Sequence, residues 1–193
     1  MGRKTNIPIG VSARHIHLSE AHITEIFGEG ETLTFDFDLS QPEQFAAKER
    51  ITIKTQVGEI SAVRILGPAR PETQVEISKT DSFILGIKPP TRLSGDVGGS
   101  ASVTLVGPKG EVTIEQGCIV AQAHIHMHPD DAKAFEVVDG EFVDVYVPSD
   151  RPITFHNVII RVSPKFKLDM HIDTDEGNAG AVTQGMIGTV IKK

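Results

Sequence analysis

Two histidine pairs carry the chemical potential of this chain: His15 with His17 and His124 with His126, each flanking a single isoleucine. In an extended strand, residues i and i+2 share a face. Each pair therefore projects two imidazoles to one side, while Ile16 or Ile125 turns toward a core. Two imidazoles about 7 Å apart along a strand face can converge on one ion, and neutral imidazole is a preferred zinc ligand. One His-x-His alone is weak evidence, since histidines at alternate surface positions are common. Two copies in matching contexts are stronger evidence.

A zinc site needs further donors. Glu76 lies in Gln74-Val75-Glu76-Ile77-Ser78, on the face opposite Val75 and Ile77. Taken alone it reads as a solvated strand carboxylate. His171, in Leu168-Asp169-Met170-His171-Ile172-Asp173, has apolar neighbours on alternate faces and an acidic loop after it. Its alternative is a structural histidine. His128 is either a third ligand beyond His126 or the N-cap of a helix opening at Pro129. His22, on a helix, and His156, in a strand, read as non-ligands.

Arg64 and Arg70 bracket Ile65-Leu66-Gly67-Pro68-Ala69. A guanidinium beside a Gly-Pro turn can present forked donors to a phosphate; the alternative is a solvated loop arginine. The glycine-rich run Leu93–Ser100 lacks a lysine at phosphate-loop spacing and reads as an interdomain loop. Cys118, the single cysteine, sits in an apolar stretch and excludes an intrachain disulfide. It reads as a small buried hydrophobe, with nucleophile or ligand as the alternative.

The elements that must position these groups are mostly short strands. Period-two alternation marks Ile51–Ile53, Gln74–Ile77, Val112–Ile114, Val143–Val147 and Phe155–Val162, punctuated by Val57-Gly58, Gly67-Pro68, Gly107-Pro108-Lys109-Gly110 and Asp139-Gly140. Such spacing predicts a barrel or sandwich. Helices are predicted after Ser19 to about Phe27, and from Pro129 with Asp130 and Asp131 in the first turn. His124 follows His15 by 109 positions, and each His-Ile-His precedes a short helix, a glycine-containing turn and an alternating strand. This reads as an internal duplication.

Composition narrows the field further. With 193 residues, 39% hydrophobic, the chain can build one large or two small cores. A net charge of −7 without a basic block argues against nucleic acid, though not against a small anion held by local arginines. No apolar run approaches the roughly 20 residues of a membrane span, and Met1 to Asn6 carries no apolar signal-peptide segment. The expected compartment is the cytoplasm, with no membrane partner.

Taken together, Val11-Ser12-Ala13-Arg14-His15-Ile16-His17-Leu18-Ser19, Leu39–Ala46, Leu66-Gly67-Pro68-Ala69-Arg70, Thr73–Ser78, His124-Ile125-His126-Met127, and Arg161–Phe166 through Met170–Glu176 resemble, in order, the motifs of the PduL-type phosphate propanoyltransferases. The resemblance runs over roughly residues 7 to 183. It implies a mainly β fold: two closely packed small β-barrels with short helices, around a dinuclear zinc site. One barrel is expected from residues 5–13 plus 122–191, with the first strand joining the C-terminal half. The other is expected from residues 14–121. The resemblance further implies that His15, His17 and Glu76 ligate one zinc and that His124, His126 and His171 ligate a second, two per chain. Arg70 matches a phosphate-binding arginine. Ser12, Arg64, Leu66 and Asn178 match positions lining a coenzyme A site, with a homodimer implied. The implied reaction converts a short-chain acyl-CoA and phosphate to acyl phosphate and coenzyme A. Two features depart from the family. Phe35-Asp36-Phe37-Asp38 stands where relatives carry basic residues, which implies weaker coenzyme affinity or a different hold on the coenzyme. The N-terminal helix of microcompartment-associated members is not expected. Two rival readings use the same residues: a zinc-dependent thioesterase or phosphatase, and a non-catalytic barrel with structural zinc.

Overall fold

The computed structural model describes residues 3–192. In chain order the elements are β1 (Asn6–Ser12), β2 (His15–His17), α1 (Glu20–Phe27), β3 (Phe35–Asp38), β4 (Phe45–Lys54), β5 (Glu59–Gly67), β6 (Gln74–Ile77), α2 (Lys79–Leu85), β7 (Thr91–Arg92), β8 (Ala101–Val106) and β9 (Glu111–Ala121). There follow β10 (His124–Met127), α3 (Pro129–Phe135), β11 (Phe142–Val147), β12 (Ile153–Val162), β13 (Asp169–Asp173), α4 (Thr174–Ala179) and β14 (Ile187–Lys192).

The chain forms two compact units. One takes in the chain up to Ser12, Ser40–Pro42 and the chain from Gln122 onward; the other takes in Ala13–Leu39 and Glu43–Ala121. The first unit is a closed barrel in the order β1-β13-β10-β12-β11-β14. Its core contains Ile7, Ile9, Ile125, Met127, Phe135, Val145, Ile160 and Met170. In the second unit β8 pairs with both β4 and β9, which closes the ring β4-β5-β2-β6-β9-β8 and leaves β3 and β7 as additions. Its core contains Ile16, Leu18, Ile53, Ile65, Val75, Leu105 and Cys118. The fold is mainly β and built of two six-stranded barrels.

The duplication holds strand by strand. β2 runs parallel to β5 and antiparallel to β6; β10 runs parallel to β12 and antiparallel to β13. β6 runs parallel to β9 as β13 does to β1, and the antiparallel pairs β8/β9 and β14/β1 correspond. The strand closing each ring is followed, after two residues, by the His-x-His strand of the other unit.

The predicted helices α1 and α3 are present. Ser19 caps α1 by accepting from the His22 N–H, and Gly28, at φ +112°, ends it where a side chain would be strained. His128 caps α3 by accepting from the Asp130 N–H, with Pro129 at the first turn. Sequence reading overlooked α2 and α4. Both open with a capping box, Ser78 with Asp81 and Asp173 with Glu176, so the segment after His171 is a helix and not an acidic loop. At six or seven residues they are too short to show a 3.6-residue period. The glycine-rich run Leu93–Ser100 is also corrected: it lies inside the second unit, between β7 and β8.

Candidate metal centres and phosphate site

Each unit gathers three donor side chains. In the second, β2 and β6 pair so that His15 lies opposite Glu76, and His15, His17 and Glu76 bring one ligand atom each within 4.8 Å of the others. In the first, β10 and β13 place His124 opposite His171, and His124, His126 and His171 do the same. Glu76 and His171 therefore hold equivalent register positions.

The donors are sequestered from water. His15, His17, Glu76, His124 and His126 are buried and His171 is half-buried. The Ala13 carbonyl accepts from His15 Nδ1 at 2.9 Å, and the Gln122 carbonyl accepts from His124 Nδ1 at 2.8 Å. Each bond fixes the tautomer and leaves the Nε2 lone pair for a ligand. His15 Nε2 lies 3.5 Å from Glu76 Oε2. That is close to the roughly 3.3 Å separating two donors in a tetrahedral zinc shell with bonds of about 2.0–2.1 Å. His17 Nδ1 is buried with no hydrogen-bond partner, an arrangement costly for an imidazole nitrogen unless something fills the place. Nitrogen-rich donor sets with buried, pre-aimed lone pairs fit a zinc-type ion.

Electrostatics agree with neutral imidazole at His17. Its pKa lies well below the ordinary histidine value, through burial first and then the positive charges of His15 and Arg70. Burial also opposes charge on Glu76 and on His15. Their mutual attraction outweighs it, so the Glu76 carboxyl sits well below the usual carboxylate range and the His15 pKa is raised.

Arg70 is half-buried at the end of the Gly67-Pro68 turn, where its charge acts on both His15 and His17. Its Nη1 donates to Ser94 Oγ at 3.1 Å. Arg64 lies on β5 opposite His15 and is engaged by Asp36 at 2.7 Å, the Ala47 carbonyl at 2.9 Å and the Phe37 ring at 5.1 Å. The acidic run at 36–38 thus supplies a counter-ion for Arg64. Leu66 shares a strand face with Arg64. Ser12 ends β1 opposite Asp173, while Asn178 is exposed on α4. His22 Nδ1 bonds Thr73 Oγ1 at 2.7 Å and His156 Nδ1 bonds Asp144 at 2.8 Å; neither joins a triad. His128 likewise stands outside both triads, its Nδ1 taken up by the cap.

Cys118 is fully buried, and burial pushes its thiol up to about 12. That is the opposite of nucleophile activation.

Some residues of these sites went unnoticed in the sequence. Gln74 donates to Glu76 Oε1 at 2.6 Å, and Ser94 accepts from Gln74 at 2.8 Å. His171 Nε2 lies 3.1 Å from Asp169 Oδ2 and 3.3 Å from Ser40 Oγ. Phe166 packs on His126 with ring centroids 4.3 Å apart. The one available signal was position: Gln74 and Asp169 each stand two residues before the third donor on the same strand face.

The phosphate propanoyltransferase family model matches residues 8–183. The chain belongs to the phosphate propanoyltransferase family. A phosphate propanoyltransferase of Priestia megaterium is 54% identical over 186 residues, covering 96% of this chain and 86% of the relative. One from Lachnoclostridium phytofermentans is 50% identical over 96% of this chain and 87% of its own length. One from Thermotoga maritima is 47% identical over 98% of this chain and 91% of its own length. Family membership makes the chain an acyltransferase of the phosphotransacylase class. Among the described residues, no helix is long and apolar enough to cross a membrane.

Proposed function

We propose that this chain moves a short acyl group, propanoyl or acetyl, from coenzyme A to inorganic phosphate. In this reading each triad holds one zinc, two per chain, and the pair serves one reaction in a cytoplasmic homodimer. The observation that carries it is the recurrence of three converging donors at equivalent register in both units, one set lying within the field of Arg70.

Zinc held there supplies Lewis acidity toward the thioester carbonyl and a template for phosphate. The chain's own groups supply the rest. Arg70 offers forked donors to phosphate, and Ser94 restrains the guanidinium, so the nucleophile is held in place before reaction. A phosphate oxygen bonds to the carbonyl carbon, the carbon–sulfur bond breaks, and coenzyme A leaves with the electron pair. Cys118 is buried and protonated, which favours direct attack over an acyl-enzyme. Ser12, Arg64, Leu66 and Asn178 are proposed to line the coenzyme site, with Arg64 acting from its pair with Asp36.

The test is thiol release from acetyl-, propanoyl- and butanoyl-CoA, with and without phosphate, on protein of measured zinc content. Phosphate-dependent release with acyl phosphate as product is expected. Release indifferent to phosphate would make the chain a hydrolase, and no turnover with bound zinc would leave a structural metal protein.

A further inference from the structure

The two triads differ at one position: Glu76 in one barrel stands where His171 stands in the other. The residue behind each differs as well, in the opposite sense. Gln74 and Asp169 hold equivalent places, opposite His17 and His126 and two residues before the third donor. Both are buried, at 3% and 6% exposure, so each bond they make is made away from water. Gln74 donates to the Glu76 carboxylate, and the Asp169 carboxylate accepts from the His171 imidazole. One barrel thus has a carboxylate donor backed by an amide, and the other has an imidazole donor backed by a carboxylate.

We infer that Gln74 and Asp169 are paired positioning residues, and that the duplicated halves have exchanged which shell carries the negative charge. The inference rests on the metal reading given above. With His171 Nε2 engaged by Asp169, Nδ1 is the nitrogen left to serve as ligand, in contrast to His15 and His124, whose Nδ1 atoms are bound to carbonyls. An imidazole that donates to a carboxylate is a more basic ligand, so Asp169 strengthens the all-histidine site without occupying it. Glu76 needs no charge behind it; it needs its carboxylate turned and its second oxygen satisfied. Gln74 does both and is itself locked, donating to Ser94 Oγ and accepting from the Gly95 N–H at 2.7 Å. Ser94 also accepts from Arg70, so one hydroxyl ties the aim of the metal donor to that of the phosphate-binding arginine. The Asp169–His171 pair has its own fixture: a Cβ at Gly10 would lie 3.3 Å from Asp169 Oδ2 and 3.3 Å from His171 Cδ2. That position on β1 therefore keeps the pair uncrowded.

The experiment is chelator competition on the wild-type chain and on Asp169→Asn, Asp169→Ala and Gln74→Ala. Metal per chain is counted, and the visible spectrum of the cobalt-substituted protein is recorded. Wild type should hold two ions. Asp169→Ala should release one ion at about 10–100-fold lower chelator strength while keeping the other, with a changed cobalt spectrum for the all-histidine site. Asp169→Asn should fall between it and wild type. Gln74→Ala should weaken the other ion and also raise KM for phosphate through Ser94 and Arg70. Far-UV circular dichroism of the metal-free variants checks that each has folded; should Asp169→Ala fail, Asp169→Asn carries the test. Two tightly held ions with unchanged spectra in folded variants at both positions would overturn the inference and leave the metal reading standing. A wild-type chain that takes up no metal would overturn both.

Discussion

The two barrels share their strand pairings, their His-x-His strands, their helix caps and the carbonyl that fixes the first histidine, yet they diverge in what surrounds the donors. In one, the donors are His15, His17 and Glu76, with Arg70 beside them and the Gln74–Ser94 bonds behind. In the other, the donors are three imidazoles, with Asp169 and Ser40 behind and Phe166 stacked on His126. The backbone scaffold was kept while the charge around it was redistributed. In one half Arg70 acts on both histidines and one candidate donor is a carboxylate; in the other Arg161 lies over the Phe166 ring that packs on His126, and no candidate donor is anionic. Under the function proposed above, the difference would be a division of labour within a duplicated site whose fold is unchanged.

The comparison breaks most sharply if either half proves dispensable. His15→Ala and His124→Ala should each abolish acyl transfer, well beyond the roughly 10–100-fold typical of losing a residue behind a ligand. An unaffected variant on either side would make the halves unequal in kind. Next in size, Arg70→Ala should cost about 2–4 kcal/mol in kcat/KM for phosphate, as for one lost transition-state donor. Phosphate kinetics unchanged by that substitution would remove the proposed division of labour.

How far these features were readable depended on their range along the chain. The histidine pairs and the duplication show in the sequence because period-two alternation turns spacing directly into shared faces. The register that sets Glu76 opposite His15 and His171 opposite His124 joins residues tens of positions apart, and no local pattern encodes it. Strand context offered Glu76 and His171 as candidates beside blander readings, and only the family resemblance assigned each to its histidine pair. Gln74 and Asp169 looked like ordinary polar strand residues because their meaning lies in a side-chain bond two residues onward. α2 and α4 were missed on periodicity, although their capping boxes were legible. The barrel ring closed by β1 is likewise a long-range pairing that residues alone do not announce.

A smaller difference separates the two capping boxes. Asp81 is paired with Arg14 at 2.7 Å, whereas the equivalent Glu176 is shifted from 4.5 to about 7, chiefly by burial, with Asp173 and Asp175 adding repulsion. The folded chain keeps that proton up to about pH 7, and the unfolded chain releases it near 4.5. Stability from this group is therefore full below about 4.5, declines as pH rises across the window, and is gone above about 7. The upper bound is about 3 kcal/mol. Urea melts of wild type and Glu176→Gln across that range should differ in slope, and identical slopes would refute the shift. Smallest of all, Cys118→Ala should leave kcat within about twofold and trap no acyl group, with a modest loss of stability of about 1 kcal/mol. An acylated Cys118 in the wild-type chain would replace direct attack with a two-step path.

The most direct test of the central claim is metal content per chain by elemental analysis in wild type, His15→Ala and His124→Ala, each checked for folding. Two, one and one zinc ions are expected, with phosphate-dependent acyl-CoA cleavage only in the wild type. Two ions retained in either variant, or none in the wild type, would contradict it.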